Sequence, residues 1–199
     1  MSHRPDSDIS RRFLLLATAF EGMLLLAAFV LGAMLTVDPL ASWNPGTSAI
    51  VWGMAGIVPL YLFFLISNRQ SRGGLREIRD FLVDKMGPLL NRCTMIDLAY
   101  LGLLAGVAEE FLFRGVLQPW LERDWGGVGG LVFSNLIFAL AHWVTPLYGL
   151  LAGLTGAYLG LWLDVTGERN LAIPTIIHAG YDFLAFLAVA RAYREAARR

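Results

Sequence analysis

The sequence predicts an all-α fold: a polytopic membrane helix bundle of about six transmembrane helices plus one amphipathic surface helix. Three observations predict it. Of 199 residues, 56% are hydrophobic and 16% charged, against the ~25% charged of a soluble domain, and mean hydropathy is +0.57. The apolar residues gather in six segments, each close to the ~20 residues that cross a bilayer. The basic residues collect at three places along the chain, as they do at a cytoplasmic face. An ordinary soluble domain and a disordered chain are thereby excluded. With 16 basic and 16 acidic residues the net charge is zero, so there is no basic footprint for nucleic acid. Cys93 is the one cysteine. This excludes an intrachain disulfide, a cysteine zinc site and an iron–sulfur cluster, and its polar loop makes it an inert thiol. The chain reads as a single integral membrane domain over 1–199.

Each segment has its own reason. The first runs from about Phe13 to Val37 and follows Ser10-Arg11-Arg12. It is too long for a signal sequence, contains Glu21 and ends at Asp38-Pro39 with no small-residue cleavage site, so it is a spanning helix. The second covers about Ser48–Ile66. The third, about Met95–Trp120, carries several charges. The fourth covers Val128–Trp143, the fifth Leu147–Val165 and the sixth Leu171–Val189. Helix is the conformation each must take, because a backbone in lipid has to satisfy its own hydrogen bonds. Between the second and third, Leu75, Ile78, Phe81, Leu82, Met86 and Leu89 recur at helical spacing among Arg76, Glu77, Arg79, Asp80 and Asp84, which predicts an amphipathic helix on the inner leaflet.

Thirteen of the sixteen basic residues fall before the first span, between the second and third, or after the sixth. Both termini are therefore expected in the cytoplasm. The fifth segment holds two pairs of glycines four residues apart, Gly149 with Gly153 and Gly156 with Gly160. Such pairs admit close approach of a neighbouring helix of this chain or of a second copy in a homodimer. No internal repeat of the transporter kind is visible.

The ionisable residues inside the spans are the informative ones, since each costs at least ~2.5–3.5 kcal/mol on insertion scales and needs a partner or a purpose. The third segment reads Ala108-Glu109-Glu110-Phe111-Leu112-Phe113-Arg114, the fourth Phe138-Ala-Leu-Ala-His142, the sixth His178-Ala-Gly-Tyr-Asp182. Glu110 and Arg114 are four apart and can pair. His178 and Asp182 share a face for the same reason. Glu109 is rotated ~100° from Glu110 and has no partner on its own helix. Asn135 is seven residues before His142, on the same face. Glu109 and His142 are almost equally far from a turn near Trp125–Gly127, so on antiparallel helices they meet at one level.

Two chemistries suit this set. Glu109 can act as a general base toward a water, with His142 assisting and His178 and Asp182 holding developing charge. Alternatively, Glu109, His142, His178 and Asp182 can ligate a divalent metal such as zinc, although no His-Glu-x-x-His motif is present.

Glu109-Glu110-x-x-x-Arg114, Phe138-x-x-x-His142 and His178-x-x-x-Asp182, in that order, resemble the CPBP family, which includes the CAAX prenyl endopeptidases of the Ras-converting type and bacteriocin-processing and self-immunity homologues. The resemblance implies an intramembrane peptidase of the glutamate type, often described as a metalloprotease. It makes Glu109 the base, His142 its helper, His178 and Asp182 the oxyanion stabilisers, and Glu110 and Arg114 supporting residues, with Asn135 beside them. Where the prenyl protease branch commonly has Asn, this chain has Asp182. An ionised carboxylate has no proton to donate to an oxyanion. The implied substrate is a membrane-anchored protein or peptide. Fifteen Arg against one Lys point to a bacterial source and hence an inner membrane. The competing function is a proton-coupled transporter with Glu109, His142, His178 and Asp182 as an intramembrane relay.

Overall fold

The computed structural model describes residues 5–70 and 72–198, so His3, Arg4 and Arg199 lie outside it. It is helical throughout, with no strand among the described residues. The elements are α1 (Pro5–Leu35), α2 (Thr47–Asn68), α3 (Gly73–Phe81), a π-helical turn at Leu82–Met86, α4 (Gly87–Leu90), α5 (Met95–Leu112), a second π-helical turn at Phe113–Leu117, α6 (Gln118–Ala141), α7 (Pro146–Trp162) and α8 (Ala172–Ala196).

The six expected segments are helical, with shifted ends. Helix α1 starts eight residues before its apolar run, at Pro5, a residue suited to a first helical position. The third span does not end at Trp120. It passes through the second π turn into α6, and the chain reverses at Gly126, whose φ of 67° is open to glycine. Thr94 caps α5 reciprocally: its Oγ1 accepts from the Asp97 backbone N–H at 3.2 Å, and its own N–H donates to Asp97 at 2.8 Å. Thr145 caps α7 by accepting from the Tyr148 N–H at 3.1 Å.

By length and composition, α1, α2 and α8 are apolar enough to cross a membrane alone. α7, at 17 residues, is shorter, and α5 carries Asp97, Glu109 and Glu110, of which the two glutamates are buried inside the bundle. The protein is thus an integral membrane helix bundle that keeps these two carboxylates in its interior.

Helix α8 is the centre, packed on α5 and α2. The approach to α5 is close because two glycines face it. A Cβ on Gly102 would stand 2.7 Å from the Ala179 carbonyl oxygen, and one on Gly106 2.7 Å from the Ala179 nitrogen. The glycines of α7 are used within the chain. Gly149 and Gly153 lie against Trp143 and Ala139, Gly156 against Asn135 and Arg114, and Gly160 against Leu131 and Gln118.

The amphipathic helix forms as α3, the first π turn and α4. Leu75, Ile78, Phe81, Leu82, Met86 and Leu90 line a cavity. On its polar side, hydrogen bonds from Arg79 and Arg76 hold the Asp80 carboxyl below the ordinary carboxylate range. The three basic stretches converge here. Phe13 and Leu14 of α1 pack with Leu90, Tyr193 of α8 packs on Gly87, and Arg194 reaches Asn91 at 3.3 Å. At the opposite end Arg123 donates to the Leu35 and Thr36 carbonyls at 2.8 and 2.7 Å, closing the end of α1. Arg169 pairs with Glu122 at 2.6 Å and Asp164 at 3.0 Å.

Cys93 is half-buried between α4 and α5. Burial, with Asp97 nearby, pushes its thiol up to about 11, so near neutral pH it stays protonated and unreactive.

Candidate active site

The counting argument from the turn is met: Glu109 Oε2 and His142 Nε2 are 3.7 Å apart. The close α5–α8 packing brings the third motif in beside them. His178 Nε2 stands 4.0 Å from Glu109 Oε2 and 3.6 Å from Asp182 Oδ2. The four residues assigned to catalysis therefore meet in one place.

Glu110 faces the other way, into the core. Its Oε1 accepts from Arg114 Nη1 at 2.9 Å and from His178 Nδ1 at 2.8 Å. Arg114 Nη2 also donates to Asn135 Oδ1 at 3.1 Å and to the Gly156 carbonyl at 2.5 Å. Glu110 and Arg114 are almost completely buried, and a charge pair there holds only because each end has further partners. The pair fixes His178: with Nδ1–H given to Glu110, the Nε2 atom is aimed at Glu109 and Asp182.

Asn135 does not reach His142. The two share a face of α6 and are ~10 Å apart along it, so Asn135 reaches Arg114 instead.

Phe138 explains its own place in the motif. Its carbonyl accepts from His142 Nδ1 at 2.9 Å, and its ring stacks on the His142 ring with centroids 4.3 Å apart. The same ring lies edge-on to His178 at 6.4 Å and under the Arg114 guanidinium at 5.0 Å. One phenyl group thus braces three of the polar residues. His142, like His178, has its Nδ1–H engaged and its Nε2 turned to Glu109.

Glu109 Oε2 is buried and has no hydrogen-bond partner among the described residues. Both histidine nitrogens are beyond direct hydrogen-bond reach of it, at distances that a bridging water spans.

The site forms the inner end of a cavity of about 410 Å³. Its walls are the last turns of α2 (Phe63, Phe64, Ser67, Asn68), the first half of α7 (Tyr148, Leu151, Thr155) and the later part of α8 (Tyr181, Asp182, Phe186), with α3 and α4 as the roof. The lining thus runs from the motif residues to the elements where the basic stretches converge. Tyr148 and Tyr181 were not singled out by the sequence, because neither belongs to a recurring pair.

As metal ligands, the four residues meet pairwise, but among the described residues no three His, Cys, Asp or Glu groups are set to hold a metal ion. The metal reading rests on their donor chemistry alone.

No curated protein and no solved structure matches the chain. Residues 91–184 match the family model of the Rce1-like type II CAAX prenyl endopeptidases. That segment runs from the loop before α5 to just past Asp182 and holds every residue that meets at Glu109 and Glu110. Over those residues the chain is thus similar to the Rce1-like type II CAAX prenyl endopeptidases, which are peptidases.

Proposed function

We propose that this protein is an intramembrane endopeptidase that uses a Glu109-activated water to hydrolyse a peptide bond of a membrane-anchored protein or peptide. One observation carries the reading: the unpartnered Glu109 Oε2, faced by two histidine Nε2 atoms at 3.7 and 4.0 Å. A water there gives one hydrogen to Glu109 and the other to the lone pair of His142 Nε2, leaving its oxygen lone pair for the substrate carbonyl.

As the water oxygen bonds to the carbonyl carbon, Glu109 takes its proton. His178, as an imidazolium with Nδ1–H on Glu110, offers Nε2–H to the oxyanion. Asp182 has no proton to give when ionised, so it acts through His178, facing the imidazolium as its counter-charge. Glu109 then passes its proton to the leaving nitrogen as the C–N bond breaks, and the products are a carboxylic acid, which keeps the water's second proton, and an amine. The cavity suits an apolar substrate segment entering from the basic face, which the positive-inside rule makes cytoplasmic.

The test is Glu109→Gln in purified protein, given a fluorescence-quenched peptide with a lipid anchor. Cleavage should fall by about 10²–10⁴-fold while the melting temperature holds. A variant that cleaves as well as the parent sinks the assignment. A transporter using the same groups as a proton relay would instead show no cleavage in either protein.

A further inference from the structure

The junction between α6 and α7 is short and closely bonded. The His142 N–H donates to the Phe138 carbonyl at 3.1 Å, and the Val144 N–H to the His142 carbonyl at 2.9 Å. Thr145 then starts α7: its Oγ1 accepts from the Tyr148 N–H at 3.1 Å and its carbonyl from the Gly149 N–H at 2.9 Å. Gly149 lets α7 press on the end of α6, for a Cβ there would stand 3.2 Å from the Ala139 carbonyl oxygen. Tyr148 is thus held within about one helical turn, ~5 Å, of the level of His142.

From this start α7 presents Tyr148, Leu151, Ala152 and Thr155 to the cavity, the stripe of a single helix face. Tyr148 therefore shares the cavity wall with Glu109, His142, His178 and Asp182. Its backbone N–H is taken by Thr145, but its hydroxyl has no hydrogen-bond partner among the described residues. Asp182 and Glu109 are the ionised groups that act on it.

The hydrolysis described above is short of a donor. An oxyanion is stabilised by hydrogen-bond donors already aimed at it. Glu109 takes the water's proton, His142 Nε2 accepts from the same water, and ionised Asp182 has no proton to give. Of the groups that meet at Glu109, this leaves His178 alone to donate. The other polar groups of the cavity are placed or engaged elsewhere. Thr155 is seven residues further along α7, ~10 Å of helical rise. Ser67 and Asn68 belong to the last turn of α2. Arg79 donates to Asp80 at 3.2 and 3.0 Å, and Tyr181 sets its ring edge-on to Phe64 of α2 at 6.1 Å. A phenol holds its proton up to about pH 10, so Tyr148 is a donor throughout the neutral range.

We propose that Tyr148 is a further catalytic residue of the peptidase site, its hydroxyl donating a hydrogen bond to the carbonyl oxygen of the scissile bond as that oxygen becomes negative. The proposal rests on the peptidase reading. It adds no covalent step: the phenol keeps its proton, and its hydrogen bond strengthens as charge builds on the acceptor. His178 from α8 and Tyr148 from α7 then hold the oxyanion between them, while Glu109 from α5 works on the water.

The test is Tyr148→Phe, which removes one oxygen atom and keeps the ring. Because that oxygen bonds to nothing in the protein, the melting temperature should hold. Two probes are given to the purified protein: the fluorescence-quenched peptide with a lipid anchor, and the same peptide with a phosphinate replacing the cleaved amide, a tetrahedral anion resembling the intermediate. In Tyr148→Phe, kcat should fall by about 10²–10³-fold with KM within about twofold, and the phosphinate should bind more than tenfold more weakly. A kcat within about twofold of the parent overturns the proposal. A loss confined to KM overturns it too, since the hydroxyl would then contact bound substrate and not the oxyanion. Should Glu109→Gln cleave as well as the parent, the peptidase reading fails by that result, whatever Tyr148→Phe shows.

Discussion

Glu109 and Glu110 are consecutive residues of α5 with opposite surroundings. Glu110 Oε1 accepts from Arg114 at 2.9 Å and from His178 at 2.8 Å, whereas Glu109 Oε2 is buried with no hydrogen-bond partner among the described residues. The ~100° between neighbours on a helix aims one carboxylate at the core as a clamp and the other at the cavity. The clamp is what fixes the ring that Glu109 faces.

Breaking that clamp on one side should be expensive. Arg114→Met leaves Glu110 buried beside an apolar group and should cost about 3–5 kcal/mol, read as a lower melting temperature in detergent. The double variant Glu110→Gln with Arg114→Met should recover most of it, because Gln keeps an acceptor for His178 Nδ1 and carries no charge. Equal losses in the single and double variants would show that the pair is not coupled.

The α5–α8 contact should be intolerant of a single methyl group. Gly106→Ala places a Cβ against the Ala179 backbone, which has no flexible end to yield. Overpacking of this kind costs about 1–3 kcal/mol and would part His178 from Glu110, so kcat should fall more than tenfold. Gly127→Ala, whose Cβ meets nothing within 4 Å, is the matched control and should leave both stability and kcat unchanged.

Cleavage should be indifferent to thiol reagents near neutral pH. The Cys93 thiol is pushed up to about 11 by burial and by Asp97, so its thiolate fraction rises only as the pH climbs toward that value. Maleimide labelling followed by mass spectrometry should show slow modification at pH 7 and faster modification at higher pH, and Cys93→Ser should keep parental activity.

Exhaustive chelation should leave cleavage within about twofold of the untreated protein, as expected of a base that draws its proton directly from water. Activity lost to a chelator and restored by zinc would instead make Glu109, His142, His178 and Asp182 ligands.

Much of the site could be read from the chain because it is written in the helical period. Glu110–Arg114 and His178–Asp182 are four-residue pairs, and both meet. Glu109 and His142 were placed together by equal distance from a turn, which holds wherever two helices are antiparallel. What escaped the sequence depends on tertiary packing. The Asn135 side chain shares a face with His142 but is separated from it along the axis. The apolar side of α3 lines a cavity, which amphipathic spacing does not specify. Gly102 and Gly106 have the spacing recognised on α7, yet nothing local says which glycine pair brings catalytic helices together. Phe138 looks like any core aromatic until its carbonyl and ring are seen to hold His142.

The wide turn at Phe113–Leu117 turns the count of residues between Glu109 and His142 into a phase setting. Each residue of helix adds ~100° of rotation, and a π turn holds one more residue than the α turn it replaces. Shortening the chain by one residue there would let an ordinary turn form and would swing everything after it, the reversal at Gly126 included, by more than a quarter of a revolution. His142 would then point away from Glu109 with every motif residue still in place and in order. Two chains with the same three motifs can thus differ in competence through a single deletion between them.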